Sequence, residues 1–100
     1  MTGVTEAAVR AAAADLSILA LTTADDVQIL PSFQVRDGRG VPRLRPVLET
    51  LRTGIDDPWT WAQWLNVDMP DRGRYIDELW AGEFTLMLTQ ARHAAWAWAL

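Results

Sequence analysis

The sequence predicts an α+β domain that is mainly α-helical, with an N-terminal helix and a short β-hairpin followed by a compact bundle of about four helices. Three observations predict this class. Residues 4–14 are rich in alanine, the best helix former. Residues 16–35 hold two β-like runs around a turn. From residue 46 to 98, apolar side chains recur at helical spacing, and a chain of 100 residues fits a single domain over 1–100.

The first two elements follow from local composition. VTEAAVRAAAA at 4–14 predicts a helix that Thr5 could cap, because its hydroxyl can accept an orphan backbone N–H. LSILALT at 16–22 and VQILPSFQV at 27–35 predict a β-hairpin around the turn TADD. Because Pro31 has no N–H for a ladder, we expect an edge or a bulge at that point.

RDGRG at 36–40 is the strongest turn signal, since Asp-Gly accepts positive φ. A helix is predicted after it, with Pro46 in its first turn and Gly54 as its C-terminal stop. The apolar face of that helix consists of Val47, Leu48 and Leu51.

The next helix is predicted over DPWTWAQWLN at 57–66, with Asp57 as N-cap and Pro58 at the first helical position. Successive helical positions differ by about 100°. The face expected to meet the core therefore holds Trp61, Trp64 and Leu65. The opposite side holds Trp59, Ala62, Gln63 and Asn66.

MPDRG at 69–73 is predicted to end that helix, and 75–82 to form a short helix closed by Gly82. Residues 83–100 form the longest helical pattern. Its apolar stripe holds Phe84, Met87, Leu88, Ala91, Ala95 and Trp98. Trp96 lies off this stripe, and the last residues, AAWAWAL, are apolar where chain ends are usually polar.

Composition excludes several classes of protein. The absence of Cys rules out disulfides and thiolate metal sites and fits a reducing compartment. No secretion signal and no apolar run of about 20 residues is present, so we expect a soluble cytoplasmic protein without a membrane partner. The net charge of −4 argues against nucleic-acid binding by this chain alone. The single basic cluster is Arg36, Arg39, Arg43 and Arg45.

Catalytic and metal-binding patterns are also missing, so we expect no enzyme, no metal and no cofactor. The single His93 has no partners at metal-ligand spacing. Ser17 and Ser32 lie outside any G-x-S-x-G elbow, and RDGRG lacks the spacing and the Lys of a phosphate loop. Adjacent carboxylates such as Asp56 and Asp57 are typical of solvated loops and caps.

Six tryptophans exceed what so small a core is expected to hide, since each can bury about 150–250 Å². Tryptophan is also over-represented among interface hot spots. The C-terminal end could instead fold back and cap the core, or a second copy could cover it. The candidate partner-binding residues are Trp59, Trp80, Arg92, Trp96, Trp98 and Leu100.

Three strings carry a family resemblance: LPSFQVRDGRGVPRL at 30–44, DPWTWAQWLN at 57–66 and DELWAGEF at 77–84. In their order and spacing, they resemble the C-terminal toxin-binding domain of the Xre/MbcA/ParS class of bacterial antitoxins, over roughly residues 28–95. The matching positions are Pro31, Phe33, Gln34, Asp37, Gly38, Trp59, Trp64, Leu65, Leu79, Gly82 and Glu83. The residues before position 28 do not resemble the helix-turn-helix region that usually precedes the domain.

The resemblance implies an antitoxin-like module that binds and neutralises a RES-type toxin, an enzyme that depletes cellular NAD. In that family, contacts that often include the chain's C-terminal end occlude the toxin's active site. Two alternatives stay open from the sequence. One is a homo-oligomeric structural or assembly protein of bacterial or phage origin, such as a homodimer. The other is a regulator that has lost its DNA-binding region.

Overall fold

A computed structural model of the chain describes residues 6–71 and 73–100, and it has five α-helices and two two-stranded antiparallel hairpins within them. The predicted α+β, mainly helical class is confirmed. In chain order, the elements are α1 (Glu6–Ala14), β1 (Leu21–Thr22), β2 (Gln28–Ile29), a 3-10 helix (Ser32–Gln34), β3 (Val35–Arg36), β4 (Arg39–Gly40), α2 (Leu44–Arg52), α3 (Pro58–Asn66), α4 (Tyr75–Trp80) and α5 (Phe84–Ala99).

Helix α1 ends in a left-handed turn that the sequence did not predict. Leu16 has φ 65°, and the Ser17 N–H donates to the Ala12 carbonyl at 2.9 Å, the bonding pattern of a Schellman cap. Glycine usually fills this position, but here burial of Leu16 in the core holds it. The predicted strand over 16–22 is therefore wrong before Leu21. The predicted cap, Thr5, lies outside the described residues.

The first hairpin pairs β1 with β2, in the register Leu21 to Ile29 and Thr22 to Gln28. TADD forms its turn, as predicted. The predicted second strand over 27–35 is wrong over residues 30–34, because Pro31 cannot extend the ladder and instead precedes the 3-10 helix, whereas Val35 lies in β3.

The second hairpin pairs β3 with β4 around the predicted Asp-Gly turn. Asp37 has φ 52° and Gly38 has φ 76°, so both central residues have positive φ, as in a type I′ turn. The turn prediction is confirmed, although of the residues in the two flanking strands only Val35 lies in a predicted strand.

A buried glutamine joins the two hairpin regions. The Gln34 side chain, 3% exposed, accepts the Leu19 N–H at 2.8 Å and donates to the Leu19 carbonyl at 2.7 Å. The side-chain amide thus forms both hydrogen bonds that the Leu19 backbone, which lies in no strand, would otherwise receive from a neighbouring strand.

The core lies mainly between α2 and α5. From α2, Leu44, Val47, Leu48 and Leu51 are buried. From α5, Met87, Ala91 and Ala95 are buried, as the predicted stripe requires, and Phe84 and Trp98 pack against the same core. Helix α2 begins two residues before Pro46, which lies in its first turn.

Gly54 follows the end of α2, as predicted, but it is required for a different reason. A Cβ atom at Gly54 would lie 2.3 Å from the Ala95 carbonyl oxygen and 2.4 Å from the Ala95 Cα. Because these are backbone atoms of α5, no side-chain rotation could relieve the clash. Gly54 therefore allows the close approach of the two chain segments.

Helix α3 starts as predicted, with Pro58 in its first turn and the Asp57 carboxylate accepting the Trp59 N–H at 3.2 Å. Trp61 and Leu65 are buried, and Trp64 is half-buried and stacks on Tyr75 with ring centroids 4.2 Å apart. Ala62, predicted on the side of α3 opposite the core face, is also buried. The first hairpin lies on this side of α3, where the Trp59 indole N–H donates to the Thr22 carbonyl.

Helix α4 and the start of α5 agree with the predicted boundaries. The Ala81 N–H donates to the Asp77 carbonyl at 3.0 Å, and Gly82 has φ 88°, which ends α4. Between α3 and α4, Met69 and Gly73 form an isolated antiparallel bridge. This places α4 beside α3, and α5 then returns across α2.

Candidate functional site

The six tryptophans divide into three groups by exposure. Trp61 is 2% exposed. Trp64, Trp80 and Trp98 are half-buried and pack against the core. Trp59 and Trp96 are exposed, at 45% and 68%. The small fold therefore shields most indoles at least in part and leaves two available for contact.

Two of the predicted partner-binding tryptophans connect parts of the chain. The Trp80 indole N–H donates to the Phe33 carbonyl at 2.8 Å, and the Arg36 guanidinium lies 4.8 Å from the centroid of its ring. The Trp59 indole N–H donates to the Thr22 carbonyl at 3.3 Å. Both indoles thus join a helix to a segment of the N-terminal region.

The other four predicted residues lie on α5 or at its end. Trp98 is half-buried against the core, whereas Arg92 and Trp96 are exposed and Leu100 is 84% exposed. The most exposed apolar side chains of the predicted set therefore lie together near the C-terminal end of α5.

These exposed residues belong to a longer row, which we call the outer stripe. The outer stripe consists of Leu86, Thr89, His93, Trp96 and Leu100, all exposed. Their spacing alternates between three and four residues, the spacing of a helix-pairing seam. At about 100° per residue, the centre of the stripe lies about 180° from the centre of the buried row Met87, Ala91 and Ala95. Helix α5 therefore has apolar side chains on two opposite faces.

Sequence reasoning missed Leu86 as a member of this surface. Leu86, His93 and Leu100 are spaced by seven residues, and Thr89 and Trp96 by the same interval. That repeat was a usable signal, but the stronger core stripe on the same helix concealed it.

The charged side chains of α5 are all cationic. Residues 84–100 contain no Asp or Glu, and Arg92 flanks the outer stripe. Elsewhere the chain is acidic enough to give a net charge of −4. The outer face of α5 thus carries the apolar side chains of Leu86, Trp96 and Leu100, with Thr89 and His93 between them and Arg92 at its border.

A second apolar surface lies between the first hairpin and α3, and we call it the hairpin groove. Its volume is about 590 Å³. Its walls include Leu21, Ile29, Phe33, Trp59 and Val67. Trp59 and Val67 are 45% and 47% exposed, so the groove is open to solvent along one side.

An ion-pair network fixes the second hairpin beside α4. Asp77 accepts hydrogen bonds from Arg74 at 2.9 Å and from Arg36 at 2.9 Å, and Arg74 also donates to Asn66 at 2.8 Å. The hydrogen bonds from Arg74, together with the charges of Arg74 and Arg36, hold the pKa of Asp77 below its ordinary value. The same pairing raises the pKa of Arg74. The network thus connects β3, α3 and α4.

The described residues contain no cluster of potential metal ligands. Over 6–71 and 73–100, no three His, Cys, Asp or Glu residues form a group that could hold a metal ion.

The Ser17 hydroxyl donates to the Asp15 carboxylate, which lowers the pKa of Asp15. In the same part of the chain, no helix is long and apolar enough to cross a membrane.

Comparison with protein-family models, with curated proteins and with solved structures finds no match to this chain.

Proposed function

We propose that this chain is a non-enzymatic protein-interaction module, an antitoxin-like domain that binds and neutralises a RES-type, NAD-depleting toxin in the cytoplasm. The observation that carries the proposal is the outer stripe of α5, where Trp96 is 68% and Leu100 84% exposed. Trp96 and Leu100 lie about one helical turn apart, and neighbouring exposed aromatic and aliphatic side chains are typical of protein-binding surfaces.

The resemblance to the antitoxin domain supports the choice of partner. Several of the matching residues have structural roles in this fold. Gln34 secures the segment before the Asp-Gly turn, Gly82 ends α4, and Trp59 joins α3 to the first hairpin. These contacts hold the scaffold that presents α5.

In the proposed mechanism, the C-terminal half of α5 enters the mouth of the toxin's active site and excludes its substrate. Trp96 and Leu100 supply apolar contact area, and Arg92 faces acidic groups of the toxin. The half-buried Trp98 anchors the helix to its own core, so the inserted end is already ordered before binding.

Co-expression with a RES-type protein encoded beside this gene tests the proposal. We expect rescued growth, co-purification of the two chains, and loss of NAD hydrolysis when the purified chain is added to the toxin. Unchanged toxicity and no complex would overturn the proposal.

A matched pair of variants tests the surface. Trp96→Glu places a charge in the outer stripe at a 68% exposed site and should abolish rescue while the fold is kept. Ala11→Glu adds the same charge at an exposed position of α1 and should rescue like the wild type. Equal rescue by both variants would show that the stripe is not the toxin-binding surface.

A further inference from the structure

The two ends of the outer stripe lie symmetrically about His93, whereas Thr89 lies four residues before it and Trp96 three residues after it. Leu86 lies seven residues before His93 and Leu100 seven residues after it. When two such helices lie antiparallel with their His93 residues opposite one another, Leu86 of one helix meets Leu100 of the other, at both ends of the contact. In the same register, Trp96 meets the smaller side chains of Thr89 and Gln90. The row is therefore complementary to itself.

We propose that a second copy of this chain covers the outer stripe, with the two α5 helices antiparallel and a two-fold axis beside His93. A two-fold contact uses the same patch on both copies and needs this kind of self-complementarity. The bulky Trp96 and the small Thr89 alternate across such a contact, so that side chains interdigitate.

The available area agrees with a weak dimer. Leu86 to Leu100 spans about 21 Å at a rise of about 1.5 Å per residue. A tryptophan buries about 150–250 Å², so the stripe can cover roughly 400–500 Å² on each copy. The total of roughly 800–1,000 Å² is smaller than the roughly 1,200 Å² or more of stable specific interfaces and corresponds to weak, transient contacts. We therefore expect reversible dimerisation rather than a permanent assembly.

The antiparallel orientation suits the helix dipoles. Antiparallel helices place opposite ends of their macrodipoles side by side. No Asp or Glu occurs in residues 84–100, so the contact contains no ion pair between α5 side chains, and the two Arg92 residues repel each other. Added salt should therefore leave the dimer unchanged or strengthen it.

This inference does not depend on the proposed toxin. A dimer on the outer stripe and a toxin on the same stripe exclude one another, so toxin would bind the monomer. The dimer is tested with the purified chain alone. A monomeric result would therefore not contradict toxin binding, and a chain that does not bind a toxin could still form the dimer.

Sedimentation of the purified chain from about 10 to 500 µM tests the dimer. We expect a monomer–dimer equilibrium that Trp96→Glu weakens at least about tenfold. Ala11→Glu should dimerise like the wild type. A wild-type monomer at about 500 µM would overturn the inference. Equal weakening by Ala11→Glu, or dissociation by sodium chloride, would also overturn it.

Cysteine cross-linking tests the orientation, because the chain has no cysteine of its own. Leu86→Cys and Leu100→Cys chains are mixed and oxidised, and the products are identified by mass spectrometry. An antiparallel pair gives mainly the mixed disulfide. Preferential Leu100→Cys homodimers would show a parallel pair, and a dimer with no disulfide would place the interface elsewhere. Either result overturns the proposed contact.

Discussion

Residues 44–100 pack against each other along whole helix faces, whereas residues 6–41 add the buried side chains of Leu16, Leu19, Leu21 and Val41 to the same core and are held to it by hydrogen bonds as well. In the helical half, the largest fully buried side chains include Trp61, Leu48 and Met87. In the N-terminal half, Leu19 is fully buried too, and the hydrogen bonds of Gln34 with Leu19 and the two indole N–H bonds to backbone carbonyls hold its segments in addition to that burial.

The difference separates two kinds of stability. Burial of large side chains is spread over many contacts, so it depends on volume and shape. A hydrogen bond that joins two segments depends on two atoms, and its loss leaves a buried group without a partner. We therefore expect core substitutions in the helical half to destabilise the whole domain. Substitutions that remove one of the hydrogen bonds holding the N-terminal half should instead increase the mobility of only the segment that this bond attaches.

The largest effect is expected at Trp61. Trp61→Ala should lower the free energy of unfolding by about 3–5 kcal/mol, because it leaves a cavity and removes the donor to the Ile55 carbonyl. Urea unfolding followed by far-UV circular dichroism measures it. Trp96→Ala is the matched control and should change stability by less than about 0.5 kcal/mol. Similar losses in both variants would show that exposure does not separate these two indoles.

Gly54 should come next. Gly54→Ala is expected to destabilise by about 3 kcal/mol, because the new Cβ would lie 2.3 Å from the Ala95 carbonyl oxygen and force α2 and α5 apart. Gly40→Ala is the control, since a Cβ there meets nothing within 4 Å. Thermal melting of the two variants checks the difference. A stable Gly54→Ala variant would mean that the interhelical contact adjusts easily.

A smaller and more local effect is expected at Gln34. Gln34→Ala removes two hydrogen bonds and leaves the Leu19 N–H and carbonyl unpaired, a loss of about 2–3 kcal/mol. Amide hydrogen exchange should quicken in both hairpins before it does in α2 and α5. Gln28→Ala, which removes an exposed bond to Thr22, should lose about 0.5 kcal/mol. Uniform exchange across the Gln34→Ala domain would contradict the division into two halves.

The smallest effect is expected at the ion pairs of Asp77. Asp77→Asn should destabilise by less than about 1 kcal/mol at neutral pH, because the pairs are exposed to solvent. Since the pKa of Asp77 is lowered in the folded chain, its contribution is present above the ordinary value of 3.8 and is lost as the pH falls through the lower folded value.

The pH dependence supplies the control. The stability difference between wild type and Asp77→Asn, measured by urea unfolding, should shrink below pH 3.8. Asp25→Asn, in the exposed turn of the first hairpin, should show no such loss at neutral pH. If the stability difference stays constant as the pH falls well below 3.8, the charge of the Asp77 carboxylate is not its cause.

Local signals in the sequence predicted much of the helical half. Asp57 and Pro58 start α3, Gly82 ends α4, and the stripe of α5 faces the core, because each of these depends on near neighbours in the chain. The positive φ of Leu16 and the burial of Gln34 were not predictable in this way. Both depend on contacts with residues that are distant in sequence.

The candidate site was predictable in part for the same reason. The position of Trp96 off the core stripe followed from helical periodicity, and the structure leaves it exposed. The acceptors of the Trp59 and Trp80 indoles lie 37 and 47 residues earlier in the chain, so no local pattern could reveal these bonds. Exposure of an indole is a property of the fold, whereas its helical phase is a property of the sequence.

Three indole N–H groups donate to backbone carbonyls of three different segments. Each of these groups can be observed separately by nuclear magnetic resonance. Trp59 reports on the first hairpin, Trp61 on the loop before α3, and Trp80 on the 3-10 helix. The resonances of their indole N–H protons fall in a sparsely populated spectral region. The rate at which each proton exchanges with deuterium therefore reports on its own hydrogen bond to a backbone carbonyl. One two-dimensional spectrum recorded during denaturation would therefore reveal the order in which these attachments open.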